Sequence, residues 1–121
     1  MTQIYKTIVT ELGESVTEFY SEKMIVLFKG GAPAELAEFC VIHEENNLYE
    51  NIQPGDVFKI DDNEFLITAV GSSVNENLQN LGHITLKFDG AQEAELPGTL
   101  YLENSEVPEI QLGQTLEVAR T

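Results

Sequence analysis

Basic residues are scarce in this chain. Six Lys and Arg stand against twenty-one Asp and Glu, a formal net charge of −15 at pH 7. Holding a phosphate backbone takes the opposite sign, so nucleic acid is repelled. An anionic membrane surface is disfavoured for the same reason. Such a charge keeps a protein soluble and steers it toward a partner with a basic face, but it names no partner. Cysteine is scarcer still: Cys40 stands alone, which excludes an intramolecular disulfide. Tryptophan is absent, so the aromatic bulk falls to four Tyr and six Phe. Long apolar runs are lacking too; Met24–Phe28 is far too short to cross a bilayer. Met1-Thr2-Gln3-Ile4-Tyr5-Lys6 has no charged-then-apolar leader pattern, and a cytoplasmic protein is expected.

What is present suits a folded domain. Hydrophobic residues make up 42% and charged residues 22% of 121, which predicts a single domain over residues 1–121 with one core. Seven segments read as short strands: Gln3–Thr10, Lys23–Lys29, Val57–Ile60, Glu64–Gly71, His83–Phe88, Pro97–Leu102 and Thr115–Val118. Gln53-Pro54-Gly55-Asp56 is a turn, and Asp61-Asp62-Asn63 joins two strands into a hairpin. Pro33 with Glu35 in the first turn opens a short helix, with Leu36, Phe39 and Cys40 on one face and an end near Val41–His43. Asn46-Asn47 marks a loop after it. A second short helix runs from an N-cap at Ser72 or Ser73 to Asn80–Gly82. The tail Ala119-Arg120-Thr121 carries no signal. Without βαβ alternation, the economical way to hide this many strand edges is a mainly β, small, closed or partly open barrel.

Chemistry narrows to two histidines, His43 and His83. A neutral imidazole offers a nucleophilic nitrogen near neutral pH and can form a phosphoramidate of high transfer potential. Such a site needs one reachable nitrogen, a partner fixing the other, and N–H donors for the phosphoryl oxygens. The predicted helix end places His43 at an element boundary, held yet reachable, and the N-terminus at Ser72-Ser73 is a candidate donor group. On composition and spacing alone a lone histidine is more often an ordinary satisfied residue, and His83, just after Gly82, could equally be a turn residue. A metal site from His43, Glu44, Glu45 and His83 lacks any tight ligand pair or H-E-x-x-H pattern. Cys40 and His43 as thiol and base are set against a buried, inert thiol between Phe39 and Val41. Gly30-Gly31 and Gly71-Ser72-Ser73 lack the lysine of a phosphate loop. Asp61-Asp62 and Glu93/Glu95 fall in or beside turns and read as solvated surface.

One resemblance adds to this. Phe28-Lys29-Gly30-Gly31-Ala32-Pro33-Ala34-Glu35-Leu36-Ala37-Glu38-Phe39-Cys40-Val41-Ile42-His43 resembles the histidine segment of the sorbitol (glucitol)-specific enzyme IIA component of the bacterial phosphotransferase system. The likeness continues through Ile67–Ser72, Asn77–Gly90 and Glu93–Thr99, and spans nearly the whole chain from Ile4-Tyr5. It implies a small β-rich barrel that takes a phosphoryl group from the phosphocarrier HPr and passes it to a cysteine of the IIB component, for uptake by the IIB/IIC sorbitol permease. It implies His43 as the phosphohistidine, no cofactor and no metal. His83 lies in a matching segment and, by analogy with the glucose-type IIA proteins, is a second candidate, to donate a hydrogen bond to the phosphoryl group. Glu44 and Glu45 are ambiguous: one carboxylate could orient the ring, yet both repel a phosphoryl dianion. The reading from another class is a non-catalytic barrel module that binds a small ligand or a regulatory protein.

Overall fold

A computed structural model describes residues 2–121. Eight strands form: β1 (Thr2–Leu12), β2 (Met24–Lys29), β3 (Cys40–Leu48), β4 (Val57–Ile60), β5 (Asn63–Val70), β6 (Ile84–Lys87), β7 (Thr99–Leu102) and β8 (Thr115–Arg120). They close into a barrel in the order β1-β3-β2-β6-β7-β5-β4-β8. Closure leaves no long edge unpaired, as the strand count predicts. The interior is filled from every strand, with Tyr5, Leu27, Phe58, Ile60, Leu86, Leu100 and Val118 at most 1% exposed. Period-2 alternation explains which residues turn inward: on β1, Tyr5, Thr7 and Val9 are buried while Lys6 and Ile8 between them are half-buried.

Two helices match the regions expected. The first, α1, is one turn, Ala34–Ala37, and serves as the crossover that lets β2 and β3 run parallel. The second, α2 (Val74–Leu81), places Val74 and Leu78, one turn apart, in the core. It packs against β3 and β6 and so covers one end of the barrel. Gly82 ends it in a left-handed conformation (φ 60°), its N–H donating to the Leu78 carbonyl at 2.9 Å. A 3₁₀ helix over Val16–Glu22 has no counterpart in the sequence expectations.

The stretch from Cys40 onward differs from them. It is neither a helix end nor a loop but β3, inserted between β1 and β2. The apolar run Cys40-Val41-Ile42 has no helical or strand period of its own, because both faces are covered. Val41 points into the core, and Ile42 faces Ala34, Ala37 and Glu38 of the crossover. The helix formers of Ala34–Ala37 yield to this sheet within one turn, leaving Leu36 and Phe39 exposed. Asn46 stays in the sheet as well. The β1–β3 register moves by one residue on each side of the Ile8–Glu44 and Val9–His43 pairs. The extra residue lies on β3 at Glu45–Asn46, both with positive φ (75° and 42°), and then on β1 at Thr10. The Asn signal was a bulge, since Asn tolerates the left-handed region without leaving the ladder.

Candidate functional site

His43 lies between those two bulges, paired with Val9 on β1 and Lys29 on β2. It shares the inward face of β3 with Val41 and is 0% exposed. The expectation of a reachable boundary residue is therefore corrected: a mid-strand position and the cover of α2 bury the ring. Its Nε2 lies 2.8 Å from the Gly82 carbonyl and its Nδ1 lies 2.8 Å from Thr7 Oγ1. A carbonyl only accepts, so Nε2 carries the hydrogen and donates it to Gly82. Nδ1 of the neutral ring then accepts from the Thr7 hydroxyl.

Electrostatics favour that neutral ring. Burial pushes the His43 pKa below the ordinary 6.5 of imidazole; the Gly82 carbonyl pulls it back up, and the Lys29 ammonium lowers it again. Lys29 is exposed at the end of β2, on the strand face that Ile25 and Leu27 turn inward. Gly82 fits the site only as glycine. A Cβ there would lie 2.5 Å from Lys29 Cβ and 3.0 Å from His43 Cε1, on a backbone of positive φ. Asn46 ties the parts together: its Oδ1 accepts from Tyr5 Oη (2.7 Å), its Nδ2 donates to the Leu78 carbonyl of α2 (2.8 Å), and its N–H donates to Thr7 Oγ1 (3.1 Å).

The other residues singled out from the sequence fall as follows. His83 is half-buried beside Gly82, stacks on Phe28 with ring centroids 4.5 Å apart, and directs Nδ1 to the Leu27 carbonyl at 3.1 Å. In its neutral form that nitrogen is the donor and Nε2 only accepts, so His83 can donate to an anion only as an imidazolium. The carboxylates of Glu44 and Glu45 do not orient the His43 ring; that work falls to Thr7 and Gly82, and Glu44 takes part through its backbone carbonyl, which also contacts Thr7 Oγ1. Ser72-Ser73 is at the wrong end of α2. His43 lies under the helix C-terminus, so the expected N–H donors are a helix length away. Cys40 is three positions from His43 on a strand, hence on the opposite face; it is buried, and burial pushes its thiol pKa up. Among the described residues, no group of three or more His, Cys, Asp or Glu is arranged to hold a metal ion. No helix among them is long and apolar enough to cross a membrane.

Three participants went unnoticed in the sequence: Thr7, Lys29 and Asn46. Thr7 did leave a trace, as the one polar residue on the inward face Tyr5-Thr7-Val9. Lys29 left a fainter one, as one of only six basic residues, immediately before Gly30-Gly31. Gly82 was visible as a helix cap, but not as the partner of a ring forty positions earlier.

Fold and site together define a small closed β-barrel built around one internal histidine, covered by a short helix. The chain belongs to the PTS system glucitol/sorbitol-specific IIA component family, whose model matches residues 4–117. It is 42% identical over 117 residues to the PTS system glucitol/sorbitol-specific EIIA component of Shigella flexneri, covering 97% of this chain and 95% of that protein. The protein of the same description from Escherichia coli (strain K12) is 41% identical over 117 residues, with the same coverage. Among solved structures, the crystal structure of the PTS system IIA component from Enterococcus faecalis V583 superposes with a TM-score of 0.83 at 35% identity. That match covers 94% of this chain and 98% of the other.

Proposed function

We propose that the protein is a cytoplasmic phosphoryl carrier of a sugar-alcohol phosphotransferase system. His43 accepts the group from HPr and gives it to the IIB component, which with IIC takes up and phosphorylates sorbitol. The observation that carries this reading is a neutral imidazole held at both nitrogens, with Nε2 directed to the end of the barrel that α2 covers. Family membership supports it: the relatives bear the name of glucitol/sorbitol-specific EIIA components.

Nδ1 faces the barrel interior through Thr7, whereas Nε2 faces Gly82 at the rim, next to exposed Leu81 and Lys29. Nε2 is therefore the nitrogen assigned to phosphorus. Once the ring proton has moved from Nε2 to Nδ1, the freed Nε2 lone pair attacks the phosphorus of the donor's phosphohistidine as the donor N–P bond breaks, and that bond's electron pair stays on the donor nitrogen. Each ring keeps its own N–H proton, so the positive charge of the N-phosphorylated ring moves with the phosphoryl group. A fully buried ring reacts only after the Gly82 carbonyl withdraws. The short α2 helix ends at that residue, and a glycine in the left-handed region is a suitable hinge. The helix C-terminus is the negative end of its dipole and opposes an incoming dianion, while the Lys29 ammonium offsets it. His83, next to Gly82 in the chain, is the candidate to donate Nε2–H to a phosphoryl oxygen when its ring is protonated.

Incubation with phosphoenolpyruvate, enzyme I and HPr, followed by intact mass measurement, tests the reading. The expected result is an acid-labile, alkali-stable gain of one phosphoryl group, lost in His43→Ala and kept in His83→Ala. No gain in wild type while HPr is fully phosphorylated sinks the carrier reading and leaves the ligand-binding barrel in its place.

A further inference from the structure

The Thr7 hydroxyl has more hydrogen-bonding neighbours than one protonation state of His43 can use. Thr7 is 0% exposed, on an inward face otherwise made of Tyr5 and Val9. Three polar groups are in hydrogen-bond geometry with its Oγ1: His43 Nδ1 at 2.8 Å, the Asn46 N–H at 3.1 Å, and the Glu44 carbonyl; the Tyr5 hydroxyl is also near Thr7, but its hydrogen goes to Asn46 Oδ1. A hydroxyl supplies one hydrogen and two lone pairs. Asn46 takes one lone pair in every state. One hydrogen and one lone pair then remain for two neighbours, and the Glu44 carbonyl can only accept. Either the hydroxyl donates to a bare Nδ1, or it donates to Glu44 and accepts from a protonated Nδ1. Both arrangements use the same heavy-atom positions and differ by rotation of one buried O–H.

The two arrangements match the two tautomers of His43. With Nε2–H on the Gly82 carbonyl, Nδ1 is bare and Thr7 donates to it. When Nε2 is bonded to phosphorus, the ring proton belongs on Nδ1, and Thr7 must accept it and turn its own hydrogen to Glu44. We infer that Thr7 is a positioning residue that lets His43 exchange tautomers inside the barrel, freeing the Nε2 lone pair without leaving Nδ1–H unpartnered. The inference rests on the reading of His43 as the phosphoryl acceptor. The exchange is balanced through water once Gly82 has withdrawn: one proton leaves Nε2 and one is taken up at Nδ1, so the ring's charge is unchanged. Without the hydroxyl, the N-phosphorylated ring would hold a buried N–H with no acceptor, an unfavourable state that slows both acceptance and donation.

The paired bulges give this contact a structural cause. The extra residue at Glu45–Asn46 turns the Asn46 N–H toward Thr7, and the compensating one at Thr10 restores the register beyond His43. Thr7, Glu44 and Asn46 thus meet at one point of the β1–β3 ladder. Bulges recur where a ladder re-aims groups at a functional site.

The test compares wild type, Thr7→Val and Thr7→Ser in phosphoryl transfer from phosphorylated HPr, with ¹⁵N resonances of the His43 ring as a second readout. Thr7→Val keeps the shape and removes the hydroxyl. We expect its initial rate to fall about ten- to a hundredfold, as for loss of a hydrogen bond to a charged group. Its resting Nδ1 resonance should move toward the position of an unbonded ring nitrogen. Thr7→Ser should restore the resonance and bring the rate to within about threefold of wild type, which a merely space-filling role would not do. A folded Thr7→Val protein that transfers at the wild-type rate overturns the inference, and so does phosphorus found on Nδ1 of wild-type His43. Should Thr7→Val misfold, Thr7→Ala removes the same hydroxyl and takes the same two measurements. If wild type takes no phosphoryl group from fully phosphorylated HPr, the acceptor reading itself fails. A defect confined to Thr7→Val leaves that reading standing.

Discussion

His43 derives its properties from where its two nitrogens end, one at a hydroxyl and one at a main-chain carbonyl. Both partners are neutral; the Gly82 carbonyl favours a positive ring, but burial outweighs it and decides the protonation state. The consequence for stability has a definite sign. The unfolded chain takes up a proton near the ordinary 6.5, whereas the folded state resists it to lower pH. Stability held above that value is lost as pH falls toward the folded-state pKa, and is level below it. Lowering the pH from about 7.5 to about 5.5 should therefore destabilise wild type more than His43→Gln, with a slope of at most about 1.4 kcal/mol per pH unit for the one proton. Chemical denaturation at a series of pH values checks this; equal slopes in the two proteins would show that His43 titrates normally.

At the scale of elements, α2 does two jobs that conflict. Val74 and Leu78 anchor it in the core, while under the proposed function its C-cap, Gly82, gives way before Nε2 reacts. The short length of α2 and its glycine end reconcile them, because one residue can move while the anchored turn stays. Gly82→Ala sets a Cβ against Lys29 and the His43 ring in a left-handed backbone. We expect a loss of about 1–3 kcal/mol in stability, and a displaced helix end that alters access to Nε2. A thermal or urea midpoint gives the first, and the initial rate of phosphorylation by HPr the second. An unchanged midpoint would mean that the space around Gly82 is not needed. The misread of β3 belongs to this scale as well. A run such as Cys40-Val41-Ile42-His43 has no period of its own, and the propensity of Ala34–Ala37 for helix carries over it until strand pairing overrules it.

At the scale of the whole molecule, the barrel is closed by β8, which pairs with both β1 and β4. A latch sits at that seam, in a tail whose sequence carries no signal. Arg120 Nε and Nη2 donate to the two oxygens of buried Asp56 at 2.8 and 3.1 Å, and Nη2 also reaches the Asn51 carbonyl at 2.9 Å. Asp56 accepts from the Gln53 N–H as well, at 2.8 Å, which ties the turn before β4 to the C-terminal strand. Removing the guanidinium leaves a buried carboxylate short of its charged partner, the costlier half of such a pair to break. Arg120→Ala should lower the unfolding midpoint by several degrees, and adding Asp56→Asn should recover part of that loss. Midpoints that simply add in the double variant would show that the two side chains do not act together.

The sequence by itself determined the class of fold, the positions of seven strands, the poverty in basic charge and a chain-long likeness to one family, which makes His43 the candidate site residue. These are local or cumulative signals: alternation along a strand, caps and turns, and residue order over more than a hundred positions. Only the tertiary structure decided that His43 is buried, that Thr7 and Gly82 hold its two nitrogens, and that Ser72-Ser73 lies at the far end of α2. The physical reason is that they depend on contacts between residues about forty positions apart: Thr7 with His43 across a ladder whose register is shifted by two bulges, and His43 with the Gly82 carbonyl at the end of α2. Neither the pairing nor the shift leaves a local pattern in the chain.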